Sequence, residues 1–186
     1  MADSMLSKFD YSGVSDVCYA DANQESYKKA AEFLGDTVED WGCGTGWSKR
    51  HFKNYKGIDG SPSKLVAEKD IVDLVNYTSS VDNILMRQVL ELNIEWRQIL
   101  ENVKKSFKKK FFLVVFTPFV EKTIIGGTEP IVTADGLVQK DIINLIYFNK
   151  QDILDYFPES EYKIREETIK TGQGYGEEWI LYVERI

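Results

Sequence analysis

The segment from Asp40 to Gly46 constrains the fold of this 186-residue chain more than any other part of its sequence. It reads Asp-Trp-Gly-Cys-Gly-Thr-Gly and overlaps the end of a short strand-like run, Thr37 to Trp41. Alternating glycines let a backbone turn tightly and approach a bound molecule, and a helix after such a turn presents free N–H groups. Because Trp47 to Asn54 reads as that helix, the segment predicts the strand, turn and helix that open a nucleotide-binding α/β unit.

The spacing of the glycines separates two kinds of nucleotide site. A dinucleotide fingerprint, Gly-x-Gly-x-x-Gly, would need glycine where this chain has Trp47. The observed pattern is Asp-x-Gly-x-Gly-x-Gly, and a second short strand, Tyr55 to Ile58, ends at Asp59, 19 residues after Asp40. An acidic residue at the end of that strand suits a two-point contact with ribose hydroxyls.

Taken together, these elements resemble the class I S-adenosylmethionine-dependent methyltransferases, whose first motif has the same pattern. The resemblance covers roughly residues 35 to 116. It implies S-adenosylmethionine as the cofactor, with the loop amides receiving its amino-acid end and Asp40 orienting the loop or meeting the ammonium group, directly or through water. It also implies that Asp59 holds the ribose, while Asp70 and Ile71 lie beside the adenine. The implied cofactor-binding residues are Asp40, Gly42, Cys43, Gly44, Gly46, Asp59, Gly60, Asp70, Ile71 and Arg87.

The methyl acceptor is expected beyond a third apolar run, Asn83 to Met86, which resembles the family's fourth strand. Small-molecule methyltransferases of this family often carry a histidine there, whereas this chain has Arg87, Gln88 and Glu91. Glu91 is therefore the candidate general base and Arg87 a second catalytic candidate, with surface or capping roles as the alternative. The Asn-Pro-Pro-Tyr and Asp-Pro-Pro-Tyr signatures of nucleic-acid amino methylation do not occur in the sequence.

The remaining elements predict an α/β fold with a Rossmann-like, mostly parallel sheet, helices on both faces and an antiparallel edge strand. We expect one methyltransferase domain over residues 1–186, in which residues 1–22 form a lid or loop. The other expected helices are Asn23 to Leu34, Ser63 to Glu68, Leu90 to Phe107 and Gln151 to Phe157. The other expected strands are Phe111 to Phe116, Tyr162 to Ile169 and Trp179 to Val183. A long loop is expected from Thr117 to Asp135.

Composition narrows the class of partner. The net charge of −7, from 23 basic and 30 acidic residues, argues against nucleic acid and favours a small molecule or glycan as acceptor. The longest apolar run, Phe111 to Phe116, is too short to span a membrane, and no secretory signal is recognisable, so a cytoplasmic protein is expected. Two cysteines and one histidine predict neither a disulfide framework nor a histidine-rich metal site. The lysines at 104, 105 and 108–110 are interpreted as complementing a helix C-terminus.

Two other functions stay open. Only ten residues separate Asp59 from Asp70, which favours a shortened, inactive S-adenosylmethionine-binding module as one alternative. A nicotinamide-dependent oxidoreductase is the other, disfavoured by Trp47. His51 is expected at the surface. Analogy with the family implies that three tyrosines cover the cofactor: Tyr11, Tyr19 and Tyr27. The glycine cluster at 172–176 with Tyr175 is interpreted as a pocket rim or a hairpin turn.

Overall fold

The computed structural model describes residues 24–60, 69–116, 118–132, 138–170 and 177–186. The expected lid at 1–22, the expected helix at 63–68, Tyr11, Tyr19 and the glycine cluster at 172–176 lie outside these residues. The elements in chain order are α1 (Gln24–Leu34), β1 (Thr37–Trp41), β2 (Asn54–Asp59), β3 (Lys69–Ile71), β4 (Val81–Arg87), α2 (Trp96–Ser106), β5 (Phe107–Phe116), β6 (Ile124–Val132), β7 (Val138–Tyr147), α3 (Lys150–Leu154), β8 (Tyr162–Lys170) and β9 (Glu177–Arg185).

Seven strands form one sheet in the order β3-β2-β1-β4-β5-β9-β8. The five strands from β3 to β5 are parallel to their neighbours. The strand β9 is antiparallel to both β5 and the edge strand β8. The prediction of a mostly parallel, Rossmann-like sheet that ends in an antiparallel pair is confirmed. The strand order reverses between β1 and β4, so the carboxyl ends of these two strands flank the crevice where such sheets bind ligands.

Helices cover both faces of the sheet. On one face α1 presents Tyr27, Ala30 and Leu34 to an apolar cluster that includes Leu85 and Phe112. The spacing of those three residues places them on one side of the helix, and Gly35, at a φ of 81°, ends it. On the other face α2 and α3 pack into a larger cluster, to which α2 contributes Ile99, Leu100 and Val103.

The helix expected over Leu90 to Phe107 is shorter than the sequence predicts. A 3₁₀ helix, Leu90–Leu92, comes first, and α2 begins only at Trp96. Asn93 separates the two because its backbone is extended and its side-chain amide donates to the Val89 carbonyl at 2.5 Å. At the other end Phe107 already belongs to β5, whose start was expected at Phe111.

The helix expected over Trp47 to Asn54 is also wrong, because the structure has only a 3₁₀ helix, Trp47–His51. Phe52 ends it in an extended conformation, with its N–H bonded to the Lys49 carbonyl at 3.2 Å. The strand β2 begins at Asn54, so the chain between Gly46 and β2 is too short for a crossover α-helix and returns to the sheet in a single turn.

A hairpin replaces part of the loop expected over Thr117 to Asp135. The strands β6 and β7 pair antiparallel as a separate two-stranded sheet. The ladder is irregular between Ile125 and Thr128 and again beside Pro130. A glycine pair and a proline interrupt the alternation that identifies a strand in sequence, which is why the sequence pattern indicates a loop here.

Two smaller expectations concern the surface. Lys110 donates to the carbonyl of Phe33 near the end of α1 at 2.9 Å, and Lys109 pairs with Asp82 at 2.6 Å. These two lysines thus serve the protein's own helix end and an ion pair. Within the described ranges, none of the helices combines the length and the apolar character needed to cross a bilayer.

Candidate functional site

The glycine loop lies at the carboxyl end of β1, at the reversal of strand order. Gly42, Gly44 and Gly46 all have positive φ, at 75°, 52° and 75°. A Cβ at Gly42 would overlap Val89, with Cγ1 at 3.2 Å and Cγ2 closer still, so the loop needs glycine there for space as well as conformation. The N–H groups of Gly42 and Cys43 both donate to the Ile58 carbonyl, and the N–H of Gly46 donates to Cys43. These backbone hydrogen bonds fix the loop against the end of β2.

Asp59 lies beside this loop at the end of β2. Its side chain is buried, at 3% exposure, and Oδ2 accepts a hydrogen bond from the Gly44 N–H at 2.8 Å. The neighbouring strand places Ile71 in register with Asp59, and the Ile71 side chain is 61% exposed. The structure thus brings together a buried carboxylate, the middle glycine of the loop and an exposed apolar surface.

Asp70 does not join this group. In register it matches Ile58, which is buried in the cluster on the α2 side of the sheet. Its carboxylate pairs with Lys56 at 3.2 Å, and Lys56 also pairs with the buried Glu39 at 3.1 Å. Of the two residues expected beside the adenine, only Ile71 lies next to Asp59. Gly60 follows Asp59 directly and is half-buried.

Asp40 lies under the loop and is almost fully buried. Its Oδ2 accepts hydrogen bonds from the Ser48 hydroxyl and, at 2.9 Å, from the Tyr55 hydroxyl. Burial raises the pKa of Asp40 from 3.8 to about 6, because the charged form loses hydration that the two hydroxyls replace only in part. These contacts join Asp40 to the 3₁₀ helix after the loop and to β2.

We expect Asp40→Asn to change the pH dependence of stability. A carboxyl whose pKa is higher in the folded state makes stability fall as pH rises from its unfolded to its folded pKa. With values of 3.8 and about 6, the wild type should lose on the order of 1 kcal/mol of stability between pH 5 and pH 8 through this group alone. The measurement is the free energy of unfolding in urea at pH 5 and pH 8. Asp40→Asn should not show this decrease between the two pH values, whereas Asp36→Asn, which changes an exposed carboxylate, should show the same decrease as the wild type. Parallel pH profiles for wild type and Asp40→Asn would contradict the assignment.

Arg87 ends β4 in a buried network. Its guanidinium pairs with Glu178 of β9, and its Nε donates to the Ser26 hydroxyl at 3.1 Å. The guanidinium also lies 5.0 Å from the centre of the Tyr27 ring, with Nη1 3.5 Å from the Tyr27 hydroxyl. Arg87 therefore joins the start of α1 to the start of β9 at the carboxyl edge of the sheet.

The backbone next to Arg87 is strained. Gln88 has a φ of 56°, a left-handed conformation that non-glycine residues seldom adopt. Its N–H donates to the Val114 carbonyl at 2.9 Å, and its side-chain amide donates to Glu178 Oε1 at 3.2 Å. Such strain persists only where surrounding contacts hold it, and it is common at functional sites.

Glu91 and His51 lie elsewhere along this edge. Glu91 is in the 3₁₀ helix that follows β4, with 2% of its surface exposed. His51, expected at the surface, is half-buried and stacks on Tyr27 with ring centres 6.1 Å apart. Burial lowers the pKa of His51, which favours its neutral form. Tyr27, expected over the cofactor, lies in the Arg87 network.

Sequence reasoning missed four residues of this site. Ser48 and Tyr55 hold Asp40, and Ser26 and Glu178 hold Arg87. Only Glu178 has a recognisable sequence signal. An acidic pair, 177 and 178, directly precedes the apolar run of the last strand, and because strand residues alternate between faces, the two carboxylates point to opposite faces of the sheet. The other three left no distinguishing pattern.

Comparisons with known proteins bear on the fold. No protein-family model and no curated protein sequence matches this chain. Among solved structures it is similar to the Burkholderia thailandensis 1,6-didemethyltoxoflavin N1-methyltransferase with S-adenosylhomocysteine bound, at 11% identity and a TM-score of 0.68 over 91% of this chain and 81% of that one. It is also similar to the magnesium protoporphyrin IX methyltransferase of Synechocystis PCC 6803 with S-adenosylmethionine bound, at 15% identity and a TM-score of 0.62 over 95% and 94% of the two chains.

A third similar structure has another activity. It is the [4+2]-cyclase SpnF, at 15% identity and a TM-score of 0.61 over 100% of this chain and 87% of that one. At these identities the likeness establishes architecture and leaves the chemistry to the residues of the site. The chain has the fold of the class I S-adenosylmethionine-dependent methyltransferases.

Proposed function

We propose that this protein binds S-adenosylmethionine and transfers its methyl group to an oxygen or nitrogen of a small molecule or glycan. The observation that carries the proposal is the position of Asp59: a buried carboxylate at the end of β2, bonded to Gly44 at 2.8 Å and in register with the exposed Ile71. A nucleoside needs such a pair, because its ribose hydroxyls seek an acceptor while its base seeks an apolar surface.

The residues present fit the cofactor at its nucleoside end. The carboxylate of Asp59 has about four lone-pair sites, so it can accept ribose hydroxyls in addition to the Gly44 N–H. Ile71 provides a wall for the adenine, and burial against a ring would remove its side chain from water. The left-handed glycines keep the loop narrow beside Asp59. S-adenosylmethionine supplies an electrophilic methyl group on a sulfonium, so alignment of the acceptor accounts for much of the rate.

The acceptor side is assigned to the end of β4. Glu91 is proposed as the base wherever the acceptor must lose a proton, because it follows β4 by one short helical turn. The hairpin of β6 and β7 borders this region, since β7 packs on the 3₁₀ helix that contains Glu91. A Glu91→Gln variant that transfers methyl groups at the wild-type rate would contradict this role.

The proposed class of acceptor rests on charge and on likeness. The net charge of −7 repels a phosphate backbone. Two similar structures are methyltransferases whose names specify a toxoflavin precursor and a magnesium porphyrin. Both are small molecules, and a small-molecule or glycan acceptor is proposed here on the same ground.

An inactive binding module is the second candidate function. It is favoured by the engagement of Arg87, the other catalytic candidate, in a buried ion pair with Glu178. Such a pair holds a guanidinium in place and reduces its freedom to assist a reaction. Both functions use the same cofactor site, and they differ only in whether a methyl group is transferred to an acceptor.

Calorimetry and a transfer assay test the proposal in that order. Titration with S-adenosylmethionine, S-adenosylhomocysteine and NAD should show binding of the first two and none of the third. Transfer of a labelled methyl group to any member of a panel of hydroxy and amino compounds would then support the enzyme. Binding of NAD alone would overturn the proposal, and cofactor binding with no transfer across the panel would favour the inactive module.

A further inference from the structure

The amino-acid end of the proposed cofactor needs two opposite partners. It carries an ammonium group, which requires an acceptor, and a carboxylate, which requires donors. The glycine loop was expected to provide them. In the structure the N–H groups of Gly42, Gly44 and Gly46 all donate to acceptors within the chain, and the Asp40 carboxylate receives Ser48 and Tyr55. These three N–H groups and the Asp40 carboxylate could serve the amino-acid end only by giving up these bonds.

Glu178 offers what the loop does not. It is fully buried, and its Oε1 accepts from Arg87 and from the Gln88 side chain. Its Oε2 is also buried, and in the described part of the chain it has no hydrogen-bond partner. A buried carboxylate oxygen without a donor is costly, and such an oxygen is normally completed by a water, an ion or a ligand.

The position of Glu178 suits a ligand that begins at Asp59. The side chains of Asp59, Asp40, Arg87 and Glu178 lie on the α1 side of the sheet, at the ends of β2, β1 and β4 and at the start of β9. Burial raises the pKa of Asp40, and among its charged neighbours Asp59 raises it further while Arg87 lowers it, so the three groups are close enough to interact. The ends of β2 and β4, which carry Asp59 and Arg87, are two strand spacings apart, about 10 Å. Glu178 is on β9, two strands beyond β4, and its side chain contacts the Arg87 guanidinium. An extended cofactor covers a distance of that order between its ribose and its amino-acid end, which would bring that end to the Arg87–Glu178 pair.

We infer that Glu178 and Arg87 together bind the amino-acid end of the cofactor. This inference rests on the proposed function and assigns to a strand partner, 91 residues away, a role expected of the loop. The ammonium group donates to Glu178 Oε2. Bonds to Ser26, Tyr27 and Glu178 use three of the five N–H donors of Arg87, which leaves two for the carboxylate. The strained Gln88 holds its amide against Oε1 and so fixes the orientation of the Glu178 carboxylate.

Three ligands distinguish the contribution of the ammonium group from that of the carboxylate and from that of the nucleoside. S-adenosylhomocysteine has both charged groups, its decarboxylated analogue keeps only the amine, and 5′-methylthioadenosine has neither. Glu178→Gln should weaken the first two by roughly tenfold or more, the scale of one charge-assisted hydrogen bond, and leave 5′-methylthioadenosine within about twofold. Glu184→Gln is the matched control, because Glu184 lies on the same strand and face at the far end, and it should change none of the three affinities.

The outcomes distinguish this inference from the function on which it rests. Equal weakening of all three ligands by Glu178→Gln would show a general structural role, and unchanged affinity for S-adenosylhomocysteine would show that Oε2 serves another group; either result overturns the inference alone. Failure of the wild type to bind any of the three would overturn the proposed function as well. If thermal melting shows that Glu178→Gln does not fold, Glu178→Asp keeps the charge beside Arg87 but withdraws Oε2 by one methylene. That variant should show the same ligand-selective loss, and a uniform loss or none would contradict the inference.

Discussion

Replacement of Asp59 by Ala should weaken the binding of S-adenosylhomocysteine by about 3 kcal/mol, which is more than a hundredfold in Kd. Under the proposed function the variant would lose two acceptor contacts to the ribose, each a charge-assisted hydrogen bond, and it would also release the Gly44 N–H that Asp59 holds at 2.8 Å. Titration calorimetry on the folded variant measures the loss directly.

Two further variants show whether the loss of affinity comes from the carboxylate of Asp59 itself. Asp59→Asn keeps an acceptor for Gly44 but loses the negative charge, so its affinity should fall between wild type and Asp59→Ala. Asp82→Ala is the matched control, because Asp82 is an acidic residue paired with Lys109 at the opposite edge of the sheet. An Asp59→Ala variant that binds as tightly as Asp82→Ala would remove Asp59 from the site.

The second large effect is expected at Gly42. A Cβ there would overlap the Val89 side chain, and the φ of 75° is unfavourable for any L-residue with a side chain. The left-handed conformation costs roughly 1–2 kcal/mol and overpacking roughly 1–3 kcal/mol. We therefore expect Gly42→Ala to lower the free energy of unfolding by about 3 kcal/mol in urea denaturation.

Gly46 provides the matched control for Gly42. It has the same φ of 75°, but no atom lies within 4 Å of a Cβ built on it. Gly46→Ala should therefore show only the conformational cost. Adding Val89→Ala to Gly42→Ala should recover part of the loss, beyond the sum of the single effects, because it makes room for the new methyl group. Equal destabilisation by Gly42→Ala and Gly46→Ala would mean that Val89 does not constrain the loop.

The parts of the site that the sequence predicts are those encoded by neighbouring residues. The glycine loop and Asp59 each belong to a short motif in which a strand ends and a turn begins, so their placement at one edge follows from local pattern. The mostly parallel sheet is predicted by the alternation of strands and helices. Asp70 shows the limit of this reasoning, because a difference of one residue in a strand turns a side chain to the other face.

The parts that the sequence does not predict depend on distant contacts or on chain length. The pairing of Arg87 with Glu178 joins residues 91 apart, and neither side chain carries a local sign of its partner. The turn after Gly46 has helical composition, yet the start of β2 at Asn54 leaves room for only five residues of 3₁₀ helix. The hairpin of β6 and β7 is hidden by the glycines and the proline in its first strand.

The short 3₁₀ helix after the glycine loop affects which nucleotides the proposed cofactor site can bind. A long helix in that position adds many aligned peptide dipoles, and its positive end neutralises a pyrophosphate. Five residues provide little of that field, and the chain as a whole is negatively charged. A dinucleotide would therefore bring its phosphates to this edge without compensation, whereas a sulfonium nucleoside brings a positive centre. The length of this one crossover thus reduces the compensation that the edge offers to a pyrophosphate.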